Sequence, residues 1–411
     1  MIERGTRLEI ASIAAGGDGV ARDEGVVVFV PRTAPGDIAR VRIARAKRFA
    51  RGQLLSLEAP SPARVDPPCP HYTIDRCGGC QLQHLSYDAQ LKAKGMIVGD
   101  ALRRIARRDV TDPIVEPSDA PWRYRRKLTL HLRWRESRWI AGLHPYDDPA
   151  AVFELRDCPI TDERVLAVWD ELRPALHALP RERELRVAVR LMDDGASVTV
   201  EGGRLWRDPE ALLAAAPSVT EIWWRPAESA LRVVAARTGA HQAGAAFAQV
   251  NAGVAARLRE RLLERVRAHA PDGVVDAYAG TGATAIPLAG EGRRVTALEL
   301  DPAAVETLRA RLEPPSTVIG GRVEAHIARV LPADVVLLNP PRTGVDERVT
   351  AALEAHRGAV RALFYVSCDP ATLARDLARM PGYRLVEVRG YDMFPQTAHV
   401  ETLCELEAEA A

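Results

Sequence analysis

The sequence predicts an α/β protein in three parts: a small β-barrel, a central α+β region and a doubly wound domain on a mostly parallel sheet. Three observations carry this. From about 244 to 411, helical and strand-like stretches alternate, the signature of crossover units on a parallel sheet. Residues 1–58 instead hold short strand-like runs, among them Leu8-Glu-Ile and Val26–Val30, separated by Gly- and Pro-containing turns, and such runs close into a barrel. Between them, 59–243 mixes helices with strands and holds four of the six cysteines, Cys69, Cys77, Cys80 and Cys158.

A chain of 411 residues is long enough for two or three domains. No apolar run is long enough to span a bilayer, and the charged start Met1-Ile-Glu-Arg lacks an apolar signal segment, so no membrane association and a cytoplasmic location are expected. Net charge is +1, but it is unevenly spread: residues 1–138 hold 25 Lys+Arg against 16 Asp+Glu (+9), and the remainder 31 against 39 (−8). A basic front suggests a polyanionic partner, although such an imbalance is usually only a solvated face. Arg40 to Arg51 concentrates six bases with Phe49 and no acid, either a phosphate-tracking surface or an edge strand blunted by charge. Trp122-Arg-Tyr-Arg-Arg-Lys127 interleaves aromatics with bases, a mixture suited to stacking on bases and pairing with phosphates.

In the central region, Cys77-Gly-Gly-Cys80 brings two sulfurs to one centre, because its glycines allow a tight fold. Cys69 lies upstream, and Cys158 completes four thiolates. Such a set suits a [4Fe–4S] cluster or a structural zinc. Leu82 to Ile105 is expected to be helical, with a further helix around 161–178.

In the last part, Val254 to His269 reads as an amphipathic helix, and Val274-Val-Asp-Ala-Tyr-Ala-Gly280-Thr-Gly282 then reads as strand, glycine turn and helix. Seventeen residues past Gly282, the strand Arg294–Glu299 ends in an acid, placed to accept both ribose hydroxyls of an adenosyl cofactor. The three-glycine phosphate-binding form is absent, so S-adenosylmethionine fits better than a dinucleotide. The apolar run Leu363-Phe-Tyr-Val-Ser ends at Cys368, and Pro370 opens a helix. That places a thiol at the carboxyl end of a strand, where open α/β sheets carry their chemistry. A helix N-terminus beside the sulfur favours thiolate; an inert buried cysteine is the alternative. The last two strand-like runs, Arg384–Arg389 and His399–Leu406, have no helix between them and are expected to pair antiparallel.

Taken together these motifs resemble the RNA 5-methyluridine methyltransferase family over nearly the whole chain. The front resembles its OB-like TRAM barrel through Gly16-Gly-Asp-Gly-Val-Ala21 and Phe29-Val-Pro. Cys77-Gly-Gly-Cys80-Gln-x-Gln-His84 and Asp157-Cys158-Pro resemble its iron–sulfur ligands, although seven residues separate Cys69 from Cys77 where five are usual. Phe247-Ala-Gln249-Val-Asn251, Asp276-x-Tyr278-x-Gly280-x-Gly282, Asn339-Pro-Pro-Arg342, Ser367-Cys368-Asp-Pro370 and His399-Val-Glu401 resemble its cofactor and catalytic motifs. The resemblance implies a TRAM barrel over 1–58, a central domain with the cysteine cluster over 59–243, and a Rossmann-like seven-stranded methyltransferase domain over 244–411. It implies Cys368 as nucleophile at carbon 6 of uracil and Glu401 as the base that removes the carbon 5 proton. It also implies cofactor contacts by Gln249, Tyr278, Gly280, Gly282, Glu299 and Asn339. The expected product is 5-methyluridine in RNA, 23S rRNA ahead of tRNA, made by a monomer. Two other readings stay open. A cluster-dependent radical RNA-modifying enzyme needs a three-Cys loop on a barrel fold, and a non-catalytic RNA-binding factor on the same scaffold has no use for Cys368 with Glu401.

Overall fold

A computed structural model describes residues 5–237 and 249–409 and shows three sheets. The first, six-stranded sheet runs in the order Thr6–Glu9, Ile38–Arg45, Ala50–Ala59, Val26–Val30, Gly19–Asp23, Ser12–Ile13. All but the last of these strands send side chains into one apolar core that includes Leu8, Ala21, Val28, Val30, Val41 and Ala50. Arg64 ties this unit to the chain that follows it through a two-pronged pair with the fully buried Asp37.

Three arginines of the Arg40–Arg51 run have carboxylate neighbours while remaining largely exposed. Arg40 and Arg7 share Glu58, Arg45 bonds Asp23 and Glu24, and Arg51 lies 3.8 Å from Asp18. Glu58 comes from the strand paired with Ile38–Arg45, whereas Asp23, Glu24 and Asp18 come from the end of Gly19–Asp23 and the turns around it, partners not visible in the local sequence.

The second sheet has seven strands, ordered Phe153–Glu154, Arg138–Leu143, Lys127–Arg135, Glu184–Leu191, Ala196–Glu201, Val219–Arg225, Arg232–Ala236. Leu128, Leu130 and Leu132 alternate with polar residues and meet Val187, Val189 and Trp169 in a separate core, which the helix Glu163–Leu172 covers. Trp122–Lys127 leads into this sheet. Tyr124 is buried with its hydroxyl donating to Pro395 O, half-buried Trp122 packs against the cluster that holds Cys69 and Cys80, and Arg123 grips Asp157.

The third sheet runs in the order Thr317–Gly320, Arg294–Glu299, Gly273–Asp276, Val335–Leu338, Ala362–Ser367, Glu401–Ala408, Tyr383–Tyr391, Val115–Glu116. Its central strands Gly273–Asp276, Val335–Leu338 and Ala362–Ser367 are buried throughout, as expected of parallel strands covered on both faces. The last two long strands pair antiparallel. The seven expected strands gain an eighth, Val115–Glu116, which extends the edge beside Gly390 and Tyr391. The helix Tyr87–Arg104, shorter at its start than expected, comes with it. Val98, Leu102 and Val115 share one core with Val336, Leu363 and Leu373. A segment of the central region by sequence is therefore built into the third sheet, because its apolar face has its complement there.

Among the described residues no helix is long and apolar enough to cross a membrane.

Candidate active site

The third sheet brings the predicted residues to its carboxyl edge. Cys368 follows Ala362–Ser367 directly, and Asp369 caps the helix Pro370–Ala378 by accepting from Thr372 N at 2.8 Å. The neighbouring strand starts at Glu401. Antiparallel pairing matches Ser367 with Thr402, and one further step of that register sets Cys368 opposite Glu401. Two residues 33 positions apart thus meet through sheet register alone.

Glu401 is 4% exposed, and burial pushes its carboxyl from 4.5 up to about 7, with the Arg342 guanidinium opposing. Near neutrality it is divided between its two forms, as a proton acceptor must be. The thiol of half-buried Cys368 is also held up, first by burial and then by Glu401, again against Arg342. The expected thiolate preference from the helix N-terminus is therefore outweighed. Asp369 already takes a first-turn N–H, and its own negative charge pushes the thiol the same way. Arg342, which the sequence offers only as the last residue of the Asn339-Pro-Pro-Arg342 motif and without a role, is the cation that reaches both groups. The signal was there: two prolines stiffen a loop that leaves a strand at the reactive edge.

On the other side of the edge, Gly280 and Gly282 take φ of +55° and +91°, values that favour glycine. At Gly282 a Cβ would fall 2.5 Å from Ile286 Cδ1, whereas at Gly280 it would meet nothing within 4 Å. The turn is therefore packed on its inner side and open on its outer side, room for a ligand against bare backbone. Glu299 Oε2 accepts from Gly280 N at 2.8 Å, and Oε1 accepts from Leu300 N and Asp301 N, each at 2.7 Å. The second oxygen is filled, so a ribose hydroxyl has Oε2 to bond. Asp276 ends its strand fully buried, bonded by the Thr284 hydroxyl, and burial pushes its carboxyl up to about 6. Tyr278 is half-buried beside the core, Asn339 stands exposed at the end of Val335–Leu338, and Gln249 lies half-buried just before Asn251, whose side chain caps the helix Ala252–Ala268. Phe247, quoted with Gln249, lies outside the described residues. This donor set suits a cofactor with a ribose and no phosphate, as S-adenosylmethionine is.

The loop 392–400, which carries His399 and ends at Glu401, is held from the helix Tyr87–Arg104. Lys94 and Asp392 form an ion pair with both side chains at zero exposure; Lys94 also donates to Phe394 O at 3.0 Å, and Tyr87 donates to Asp392 at 2.8 Å. Gln90 and Gln396 exchange two further bonds. A lysine among Ala93, Ile97 and Val98 on the apolar face of a helix is the sequence signal for such a network.

The four cysteines converge. Cys69, Cys77 and Cys80 are buried, Cys158 is partly so, and Cys80 feels the charge of each of the other three. Burial pushes Cys77 up to about 11 and raises Cys69 and Cys80 as well. Gly79 N lies 3.4 Å from the Cys77 sulfur, and the N–H groups of His71 and Tyr72 favour the charged form of Cys69. Four thiols gathered in an apolar pocket with amides aimed at them fit a thiolate-bound metal group. No three of these sulfurs lie within 4.8 Å of one another among the described residues.

A family profile described as tRNA (Uracil-5-)-methyltransferase matches residues 327–409, and one described as TRAM domain matches 6–55. An RNA methyltransferase of uncharacterised role from Thermosynechococcus vestitus is 33% identical, with 97% of each chain covered. The 23S rRNA (uracil(1939)-C(5))-methyltransferase RlmD of Pseudomonas entomophila is 30% identical over 98% of this chain and 93% of its own. The structure of Pyrococcus abyssi tRNA (uracil-54, C5)-methyltransferase, solved with S-adenosyl-L-homocysteine, superposes with a TM-score of 0.70 at 22% identity, covering 98% of this chain and all of that one. At that identity the likeness establishes the shared fold. With sequence relatives spanning its whole length and the matching profile over its reactive edge, the chain belongs to the S-adenosylmethionine-dependent RNA uracil-C5 methyltransferases.

Proposed function

We propose that this enzyme methylates carbon 5 of a uridine in 23S rRNA through a covalent Cys368–uracil adduct, with Glu401 as the base that resolves it. The observation that carries the reading is the register that sets a nucleophile and a buried carboxyl near 7 face to face at the carboxyl edge. S-adenosylmethionine supplies, when bound, a methyl group on a positively charged sulfur. Uracil carbon 5 is too weak a nucleophile to accept it unaided. Cys368 Sγ passes its proton to solvent and the resulting thiolate bonds to carbon 6, pushing the ring electrons toward carbon 5, which would then take the methyl as its bond to the cofactor sulfur breaks. Carbon 5 now carries both a methyl and a hydrogen. Glu401 takes that hydrogen as a proton, the ring double bond re-forms, and the carbon 6–sulfur bond breaks to release Cys368. Arg342 stabilises the negative charge at both groups. Gly280, Gly282, Glu299, Tyr278, Asn339 and Gln249 hold the cofactor.

The preference for 23S rRNA over tRNA is supported by the RlmD relative, similar across both chains. Mapping 5-methyluridine in ribosomal and transfer RNA from cells with and without the gene tests it; loss of the mark from tRNA alone would reverse the assignment. Residues 1–58, 59–243 and 244–411 serve as RNA-binding barrel, cluster-bearing domain and methyltransferase domain of a cytoplasmic monomer. Cys69, Cys77, Cys80 and Cys158 hold a structural [4Fe–4S] cluster, in which each sulfur has its own iron. Protein purified without oxygen should be brown and contain iron. A colourless protein with one bound zinc would refute the cluster.

A further inference from the structure

We propose that Tyr87 and Ser118 are positioning residues for methyl transfer: with Asn251 they lock the cofactor side of the site to the loop that ends at Glu401. Methyl donor and base then keep one relative placement. This rests on the reading above that Glu401 resolves the adduct and Gln249 holds the cofactor. The residues come from separate stretches of the chain and form one run of hydrogen bonds. Asn251 Nδ2 donates to Ser118 Oγ at 2.9 Å, Ser118 N donates to the Tyr87 hydroxyl at 2.7 Å, and that hydroxyl donates to Asp392 Oδ2 at 2.8 Å. Each direction is fixed by its neighbours. Ser118 Oγ gives its own hydrogen to Ala120 O at 2.9 Å, so toward Asn251 it accepts. The Tyr87 oxygen accepts from Ser118 N, so its hydrogen goes to the carboxylate.

The two ends of the run give it a role. Asn251 caps the helix Ala252–Ala268 and follows Gln249 by two residues, and Asp392 begins the loop that closes on Glu401. The stretch between them, 114–120, is tied down on both sides. Gly390 N donates to Ile114 O and Asp392 N to Glu116 O, each at 2.9 Å. From the helix, Arg257 donates to Pro117 O at 2.6 Å and pairs with Asp119. Ser118 and Asn251 are buried and Asp392 has no exposure at all. Buried polar groups are costly unless all are satisfied, and Phe and Ala would fill these places without that demand. What the polar run adds is geometry: the helix and the loop cannot slide past each other without leaving buried groups unpaired. A shift of about 1 Å at reacting groups costs about 100-fold in rate.

Single turnover with methyl-labelled S-adenosylmethionine and RNA from cells lacking the gene, quenched at intervals and resolved by denaturing electrophoresis, tests the role. Tyr87→Phe keeps the ring and breaks the run. Its labelled protein–RNA adduct should decay about 10- to 100-fold more slowly than that of wild type, while affinities for S-adenosylhomocysteine and RNA stay unchanged. Ser118→Ala breaks the same run one step away, so the double variant should be no slower than the slower single variant. A merely structural contact would lower the thermal midpoint and leave adduct decay in the folded protein at the wild-type rate. Tyr383→Phe is the control, since it removes a buried hydroxyl bond to Leu353 O at the far end of the strand Tyr383–Tyr391. Wild-type decay in Tyr87→Phe, equal slowing in Tyr383→Phe, or losses that multiply in the double variant would overturn the role. Glu401→Gln is run alongside. If it eliminates at the wild-type rate, the base reading falls and the positioning role with it. If it holds its adduct while Tyr87→Phe is not slowed, the positioning role alone falls.

Discussion

Replacing Lys94 with Met removes one partner of an ion pair that has no solvent on either side. Asp392 keeps the Tyr87 hydroxyl, and the Phe394 carbonyl loses a donor. Breaking a buried pair in this way costs about 3–5 kcal/mol, because the remaining carboxylate is left in an apolar site. For a domain of this size about 1 kcal/mol corresponds to about 2–4 °C, so the midpoint should fall by about 6–20 °C. Circular dichroism at the helical band follows it. Because Asp392 begins the loop that ends at Glu401, turnover at saturating substrates should fall as well, at temperatures where the variant is fully folded. Lys94→Met with Asp392→Asn removes both charges while keeping an acceptor for Tyr87, and should recover most of the stability lost in the single variant. A Lys94→Met protein within about 1 kcal/mol of wild type, or a double variant with the two losses simply added, would refute the claim that this pair anchors the loop.

The remaining predictions concern charges whose surroundings differ from what sequence implied. Glu401 titrates near 7 when folded and at 4.5 in the unfolded chain, so the folded state binds more protons between these values. Its stabilising contribution is present below pH 4.5 and is lost as pH rises through 7, so wild type carries a penalty of about 3 kcal/mol above pH 8. Glu401→Gln should therefore be more stable than wild type at pH 8 in chemical denaturation, although inactive; equal stability would mean that the carboxyl is not desolvated. In the barrel, Arg45→Ser should leave the salt slope of RNA binding unchanged, because Asp23 and Glu24 already balance that charge. A flattened slope would return Arg45 to the RNA surface.

The elements that were legible in the sequence are those whose pattern is local. Leu363 to Pro370 reads as strand, turn and helix because apolar run, cysteine and proline follow one another, and Gly280 with Gly282 read as a turn because only glycine takes those angles cheaply. What the local pattern does not contain is pairing across the chain. The basic Arg40–Arg51 run has its carboxylates on other strands, and Asp392 lies 298 positions from Lys94. The meeting of Cys368 with Glu401 needed the family resemblance, since only the inserted strand Glu401–Ala408 and its register create it. The thiolate expectation failed for a related reason. A helix N-terminus was visible in Pro370, but burial and the two nearby carboxylates were not.

The measurement closest to the central claim is denaturing electrophoresis of Glu401→Gln after incubation with substrate RNA and methyl-labelled S-adenosylmethionine. Cys368 forms its bond to carbon 6 and the methyl arrives at carbon 5, but without the carboxylate the proton stays and the sulfur cannot leave. A labelled protein–RNA band should accumulate, and it should be absent from Cys368→Ala. Cys404, fully buried on the strand that Glu401 opens, serves as the control thiol, and its replacement by Ala should leave the band in place. A Cys368→Ala enzyme that still methylates RNA, or a band that disappears with Cys404 instead, would contradict the account.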